Sequence, residues 1–339
     1  MDKFYENYNL RNHNTFKIQA STRYFYSFEL PDEIVNFIKL KKHRLPANLP
    51  IRIMGGGSNI LFSDDFNGLI IKPINNGIEI TNESETTVTV KVQAGEMWDD
   101  VVKFAVEHGF GGIENLSAIP GNCGGATTQN IGAYGMELAE AIIQVEAIEL
   151  HTGKIIYLSK KDCEYGYRTS IFKTHNQYLI LSVVLLLQKK PVFNLAYKDL
   201  QVEVSMHGLE VDLQVIRQAI TNIRKRKLPD PDIIPNCGSF FKNPVVELSF
   251  AEILKSKRNG LVYHQTSATS ARISAAWLIE QCHWKGKRIG DAGVYDNHAL
   301  ILVNHGKANG KDIISLADAI RKSVFDTFGI SLEYEVEVF

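Results

Sequence analysis

Two glycine-rich loops lie about sixty residues apart in this chain, and neither has the spacing of a Rossmann or Walker loop. The first is Gly55-Gly56-Gly57-Ser58-Asn59, directly after the apolar run Ile51-Arg52-Ile53-Met54. The second runs Pro120-Gly121-Asn122-Cys123-Gly124-Gly125-Ala126-Thr127-Thr128-Gln129-Asn130-Ile131-Gly132-Ala133-Tyr134-Gly135. Glycine lets backbone come close to a ligand and turn successive N–H groups toward one point. Such a concavity holds phosphate. Two of them suit an extended diphosphate, as in a dinucleotide. GxGxxG after a first strand and GxxxxGK[ST] are both missing, which argues against a Rossmann NAD domain and a P-loop NTPase.

The 339 residues leave room for roughly two or three domains with a substantial core. A net charge of −1 supplies no basic field for nucleic acid or an anionic membrane. No apolar stretch reaches transmembrane length, and Met1-Asp2-Lys3-Phe4 lacks a signal-peptide pattern. Cys123, Cys163, Cys237 and Cys282 are widely spaced, with no CxxC or HExxH, so no metal site is indicated and reduced cytosolic thiols are expected.

Hydrophobic periodicity divides the chain at about residues 75 and 205, into segments 1–75, 76–205 and 206–339. The first holds a helix over 31–40 and strands over 51–54 and 68–72. A hairpin opens the second, over 77–80 and 87–92, where β-branched and polar residues alternate. A helix over 97–108 closed by Gly109 follows, then strands over 144–150, 154–158 and 178–187. The third begins with a helix over 213–227 stopped by Pro229, then a helix over 274–282, a strand over 299–303 and a helix over 313–328. Arg224, Lys225 and Arg226 read as a solvated helix end complementing the dipole. The run Lys39-Leu40-Lys41-Lys42-His43-Arg44 reads as solvated too.

Three further segments carry reactive side chains. Tyr165-Gly166-Tyr167-Arg168-Thr169-Ser170 by pattern alone is a surface turn. Pro235-Asn236-Cys237-Gly238-Ser239-Phe240-Phe241-Lys242-Asn243-Pro244 holds polar groups in a rigid apolar setting, which suggests a shaped site. Glu333, Glu335 and Glu337 alternate along an expected C-terminal strand and would share one face, normally a solvated one.

These motifs in this order resemble the UDP-N-acetylenolpyruvoylglucosamine reductase family over almost the whole chain. The match begins at Asn14-Thr15-Phe16 and takes in both glycine loops, Tyr167-Arg168-Thr169-Ser170 and Lys227-Leu228-Pro229-Asp230-Pro231. It continues through Gly238-Ser239-Phe240-Phe241-Lys242-Asn243-Pro244, Trp277-Leu278-Ile279-Glu280-Gln281 and Leu332-Glu333-Tyr334-Glu335-Val336. Tyr197, in Leu195-Ala196-Tyr197-Lys198-Asp199-Leu200, looks like the tyrosine loop of the longer subtype, which closes over the substrate.

The resemblance implies an α+β chain: a vanillyl-alcohol-oxidase-type FAD-binding fold of two subdomains, then an α+β substrate-binding domain. It implies bound FAD, NADPH as hydride donor, a UDP-sugar substrate and a cytoplasmic, monomeric enzyme of peptidoglycan precursor synthesis. FAD contacts carry over onto Gly55, Gly56, Gly57, Ser58, Asn59, Gly121, Asn122, Gly124, Gly125, Gln129, Asn130 and Gly132. Catalytic roles carry over onto Arg168, Ser239 and Glu335. Hydride addition to the enolpyruvyl C3 pushes charge into the carboxylate; Arg168 and Glu335 would stabilise it, and Ser239 would protonate C2. Tyr197, Lys227, Asn243, Lys285 and His298 would hold the sugar nucleotide, with His298 where the longer subtype can carry glutamine. The alternatives are an oxygen-using oxidase of the same fold, which would lack the motifs at 238–244 and 332–336, and a non-catalytic nucleotide-sugar binder, which would not need Arg168, Ser239 and Glu335.

Overall fold

The computed structural model describes residues 3–41, 45–46, 48–206, 208 and 210–339. The chain forms two compact units: Met1–Tyr8, Thr22–Gly56 and Asn67–Arg226 in the first, and Asn9–Ser21, Gly57–Phe66 and Lys227–Phe339 in the second. This partition differs from cuts at 75 and 205. The helix Leu213–Lys227 falls almost wholly in the first unit, because its apolar stripe Val215, Ile216, Ala219, Ile220 and Ile223 packs on Leu200 and Val204.

In the first unit, Phe4–Asn9, Ser21–Phe28, Phe66–Pro73 and Ile51–Ile53 form a four-stranded sheet in that order. Ile51–Ile53 runs parallel to Phe66–Pro73, with Ile51 opposite Leu69 and Ile53 opposite Ile71. The second sheet is antiparallel, in the order Ile155–Ser159, Ile142–Glu149, Tyr178–Gln188, Thr87–Gln93, Ile78–Glu83. Its central strand is apolar almost throughout and feeds two cores. Leu179 and Leu181 pack with Phe28, Leu69 and Ile71; Ile180, Val183, Leu185 and Leu187 pack with the helix Trp98–Glu107. A register shift opposite Glu146 and Ala147 lets buried positions change parity partway along. The helix Trp98–Glu107 buries Trp98, Val101, Val102, Ala105 and Val106, the stripe expected of an amphipathic helix.

The second unit has a four-stranded sheet, Asn236–Ser239, Ile301–Asn304, Ala292–Val294 and Arg288–Ile289. The helix Gly310–Phe328 buries Ile313, Leu316, Ala317, Ile320 and Val324. Asn309 and Asp312 form a reciprocal cap at its start, and Gly329 closes it at φ 68°. A smaller sheet, Val245–Glu247, Ser270–Ile273 and Tyr263–Gln265, lies within the same unit.

The α+β class therefore stands, with local differences. The helix expected over 31–40 is regular only over Pro31–Asn36 and widens into a π turn over Phe37–Lys41. Lys42, His43 and Arg44 lie outside the described residues. The second glycine loop is partly helical: Asn122 caps Cys123–Gln129, its side chain accepting from the Gly125 N–H, and Asn130 ends it in the left-handed region. The acidic C-terminal strand is not continuous. Bends at Glu335 and Val336 break it, leaving Glu337–Val338 paired in parallel with Ile60–Leu61. Glu333 projects outward to Lys242 Nζ at 3.2 Å, while Glu335 is half-buried, so the two do not share one environment.

Candidate active site

Within the first unit the two glycine loops touch. A Cβ on Gly55 would lie 2.4 Å from Asn122 Oδ1, and one on Gly56 would lie 2.8 Å from Gly121 Cα. Gly56 is thus required by backbone-to-backbone packing, and Gly55 by the Asn122 side chain, before any ligand is considered. Gly124 is required similarly, its Cβ position falling 3.0 Å from that of Ala94. The N–H groups of Gly55, Gly56 and Gly121 donate to no described residue. Unspent amides on closely apposed glycine turns are what a diphosphate needs, so these residues fit FAD. Gln129 is already engaged, its Oε1 accepting from Lys173 Nζ at 2.8 Å.

Lys72 lies beneath the first loop and donates to the Gly55 carbonyl at 2.7 Å. Burial pulls its ammonium down to about 8. In flavin-free protein the folded state therefore pays for a charged Lys72 below pH 8. That cost disappears between about 8 and the unfolded value near 10.4, where the unfolded chain binds the extra proton. We expect Lys72→Met to resist urea better than the parent at pH 7, with the difference shrinking as pH rises from 8 to 10. A constant difference across that range would remove the charge from the explanation.

The turn carrying Arg168 is stapled to the second loop rather than lying free at the surface. Arg168 donates through Nη2 to the Gly132 carbonyl and through Nη1 to the Asn130 carbonyl, and its guanidinium lies 5.1 Å from the Tyr167 ring centroid. Ser170 Oγ donates to the Thr128 carbonyl at 2.7 Å. Asn130, 1% exposed, spans the junction: its Nδ2 donates to Glu137 Oε2 and the Gly166 carbonyl, and its Oδ1 accepts from the Ala139 N–H. Asn130 thereby serves the loop's own architecture.

The basic helix end also departs from expectation. Arg224 follows Ile223 on the edge of the apolar stripe; its Nε donates to the Ala118 carbonyl at 3.0 Å, and burial lowers its pKa. Lys225 and Arg226 are exposed as expected, Arg226 while pairing with Glu203 at 3.1 Å.

Within the second unit, Ser239 ends the strand Asn236–Ser239, which is irregular between Asn236 and Ser239. Gly238 supplies φ 75°, and its N–H donates to Asn236 Oδ1, so the turn before the serine is fixed locally. Phe240 and Phe241 are fully buried, with the Tyr334 ring 5.2 Å from that of Phe240. The C-terminal arm pairs along this segment: the Lys242 N–H donates to the Glu333 carbonyl, and the Glu335 N–H donates to the Phe240 carbonyl at 2.9 Å. Glu335 therefore stands opposite the residue next to Ser239. Asn59 Nδ2 donates to the Glu335 carbonyl at 3.1 Å, tying the first loop's last residue to this arm. Cys237 is buried, which pushes its thiol pKa up, and the nearby Glu335 charge adds to the shift.

The expected sugar-nucleotide residues divide between the units. Asn243 Oδ1 accepts from the Ala275 N–H at 2.9 Å, while its Nδ2 donates to no described residue. Lys285 pairs with Glu280 at 3.0 Å. His298 Nδ1 accepts from the Leu300 N–H. Lys227 is the last residue of its helix. Tyr197, 52% exposed, immediately precedes the helix Lys198–Met206 in the first unit.

Residues 229–339 match the family described as UDP-N-acetylenolpyruvoylglucosamine reductase, C-terminal domain, and residues 26–159 match an FAD binding domain. Proteins named UDP-N-acetylenolpyruvoylglucosamine reductase from Flavobacterium johnsoniae and Amoebophilus asiaticus are 40% and 42% identical, each over 98% of both chains. The chain belongs to the UDP-N-acetylenolpyruvoylglucosamine reductase family. A solved reductase of this family from Thermus caldophilus covers 100% of the chain and 99% of its own, with a TM-score of 0.70 at 22% identity, which shows the shared fold. The expected flavin-binding fold with an α+β C-terminal domain thus agrees with the family. Among the described residues no helix is long and apolar enough to cross a membrane, and no group of three or more His, Cys, Asp or Glu could hold a metal.

Proposed function

We propose that this chain, like its named relatives, reduces the enolpyruvyl group of a UDP-N-acetylglucosamine ether to give UDP-N-acetylmuramate. FAD, held chiefly by residues 55–59 and 121–132, would carry hydride from NADPH to the substrate double bond. The two sheets of the first unit are read as the halves of the flavin domain and the segment from 206 onward as the substrate domain, in a monomeric cytoplasmic enzyme. The pairing of Ser239-Phe240-Phe241-Lys242 with Glu333-Tyr334-Glu335 supports the reading most directly, because it runs the backbone that carries the Ser239 hydroxyl alongside the backbone that carries the Glu335 carboxyl, with Phe240 and Phe241 buried between them in sequence.

The residues would divide the work by chemistry. Arg168 has a permanent charge and a planar donor fork for the substrate carboxylate as negative charge develops there. Glu335 would orient that carboxylate, and Ser239 would deliver a proton to C2. Tyr197, Lys227, Asn243, Lys285 and His298 would bind the sugar nucleotide. The test is anaerobic turnover of NADPH with the enolpyruvyl sugar nucleotide, followed by mass analysis of the product. Gain of two hydrogens supports the reading; NADPH oxidation that needs oxygen and ignores the sugar overturns it.

His298 yields a further expectation. Accepting the Leu300 N–H at Nδ1 favours the neutral ring with its proton on Nε2. In that form it donates one hydrogen bond, as glutamine would. UDP affinity from pH 8 to 6 should then follow the same slope in the parent and in His298→Gln. A parent slope steeper by about a full unit of charge would show that the ring binds as a cation.

A further inference from the structure

Asn115 is 1% exposed in the short turn Glu114–Leu116, which Ser117 Oγ braces by donating to the Glu114 carbonyl. Its side-chain Nδ2 donates twice: to the Tyr134 carbonyl at 2.8 Å and to the Asn194 carbonyl at 2.9 Å. The first acceptor belongs to the second glycine loop. The second belongs to the extended segment that leads into Tyr197. Asn194 returns the connection, its Nδ2 donating to the Gly135 carbonyl at 3.0 Å while its Oδ1 accepts from the Ala196 N–H.

The glycine-loop side is shaped for this contact. Gly135 has φ 82°, and a Cβ there would come within 2.8 Å of Asn194 Nδ2, so only glycine admits the asparagine. Tyr134 is itself held at φ 48°, an unusual conformation for a bulky residue that needs surrounding support. Phe193, Leu195 and Tyr134 pack against the core that Leu200, Val204 and the helix Leu213–Lys227 share. The rings of Tyr134 and Tyr197 meet edge to face, with centroids 5.9 Å apart.

We propose that Asn115 is a positioning residue: with Asn194 it clasps the segment before Tyr197 to the Tyr134 turn, which gives the arm a fixed base from which the Tyr197 phenol closes on the diphosphate of a nucleotide sugar. The proposal rests on the substrate class assigned above. A clasped segment has already lost much of the conformational freedom that binding would otherwise take from it. Neither asparagine touches the ligand in this account; both act through Tyr197.

A double-mutant cycle on the flavin-loaded enzyme tests it, with UDP as the probe and the flavin spectrum as the signal. Asn115→Leu keeps the side-chain size and removes both donors. It should weaken UDP about tenfold, as should Tyr197→Phe, each losing hydrogen bonds at the same arm. The double variant should also be about tenfold weaker, not a hundredfold, since an unclasped arm makes little use of its phenol. NADPH should reduce the flavin at the parental rate in Asn115→Leu, with a raised KM for the sugar nucleotide and little change in kcat. Asn194→Ala, at an exposed position, should give the same non-additive cycle and serves if Asn115→Leu does not fold. Effects that multiply in the Asn194 cycle overturn the clasp. A parent enzyme that does not bind UDP overturns the substrate assignment itself, and with it the role given to Tyr197.

Discussion

Replacing Ser239 with alanine leaves the flavin reducible by NADPH and reduces turnover of the enolpyruvyl substrate by about 10²–10⁴-fold, the range of a general acid's contribution. The hydroxyl is positioned by backbone alone. Gly238 turns the chain at φ 75°, Asn236 fixes that turn, and the Phe240 N–H donates to the Leu300 carbonyl at 2.8 Å. Alanine retains all of these bonds, so the fold should survive the change. No neighbour on the strand can take over. The Cys237 thiol is buried and stays protonated and inert at neutral pH, and the Glu335 carboxyl is assigned to the substrate carboxylate. Stopped-flow measurements separate the half-reactions. Parental reoxidation of the reduced flavin by the enolpyruvyl substrate would eliminate Ser239 as the proton donor.

Motifs with local chemistry were legible in the sequence, whereas long-range arrangements were not. The helix Trp98–Glu107 follows from periodicity, and the strands Thr87–Gln93 and Tyr178–Gln188 from β-branched and apolar runs. Both glycine loops could be located, but the reason for their glycines could not. Gly55 and Gly56 lie against Asn122 and Gly121, a contact between residues over sixty positions apart that no local pattern encodes. The arm at 333–335 has the alternation of a strand, and only tertiary pairing shows that it bends after Tyr334 and separates Glu333 from Glu335. Arg224 was misread because a basic run at a helix end is normally solvated; the stripe that captures it depends on how the helix is rotated against Leu200 and Val204. Asn115 carried no signal at all, because an asparagine in a short turn is ordinary until its two acceptors are known.

Arg168→Lys should lower turnover of the enolpyruvyl substrate by about 10²–10³-fold, comparable to losing one preorganised donor at a developing oxyanion. The exchange keeps the charge, so a large effect would come from geometry. The guanidinium docks on two carbonyls of the second glycine loop, Gly132 and Asn130, while lying over the Tyr167 ring. One planar fork meets these demands together, and a single ammonium on a flexible stem cannot. The seat is also narrow: a Cβ on Gly132 would stand 2.8 Å from Nη1, and Arg168 itself sits at φ 55°. Such a conformation is maintained by its surroundings, here the Ser170 and Asn130 bonds that staple the turn. The variant should therefore remain folded and yellow, with flavin reduction by NADPH close to the parental rate. Reoxidation by the enolpyruvyl substrate is the step to follow. If lysine supports it within about threefold of the parent, charge alone suffices and the two-carbonyl dock is architecture; a loss in the expected range assigns the fork a part in stabilising the substrate carboxylate.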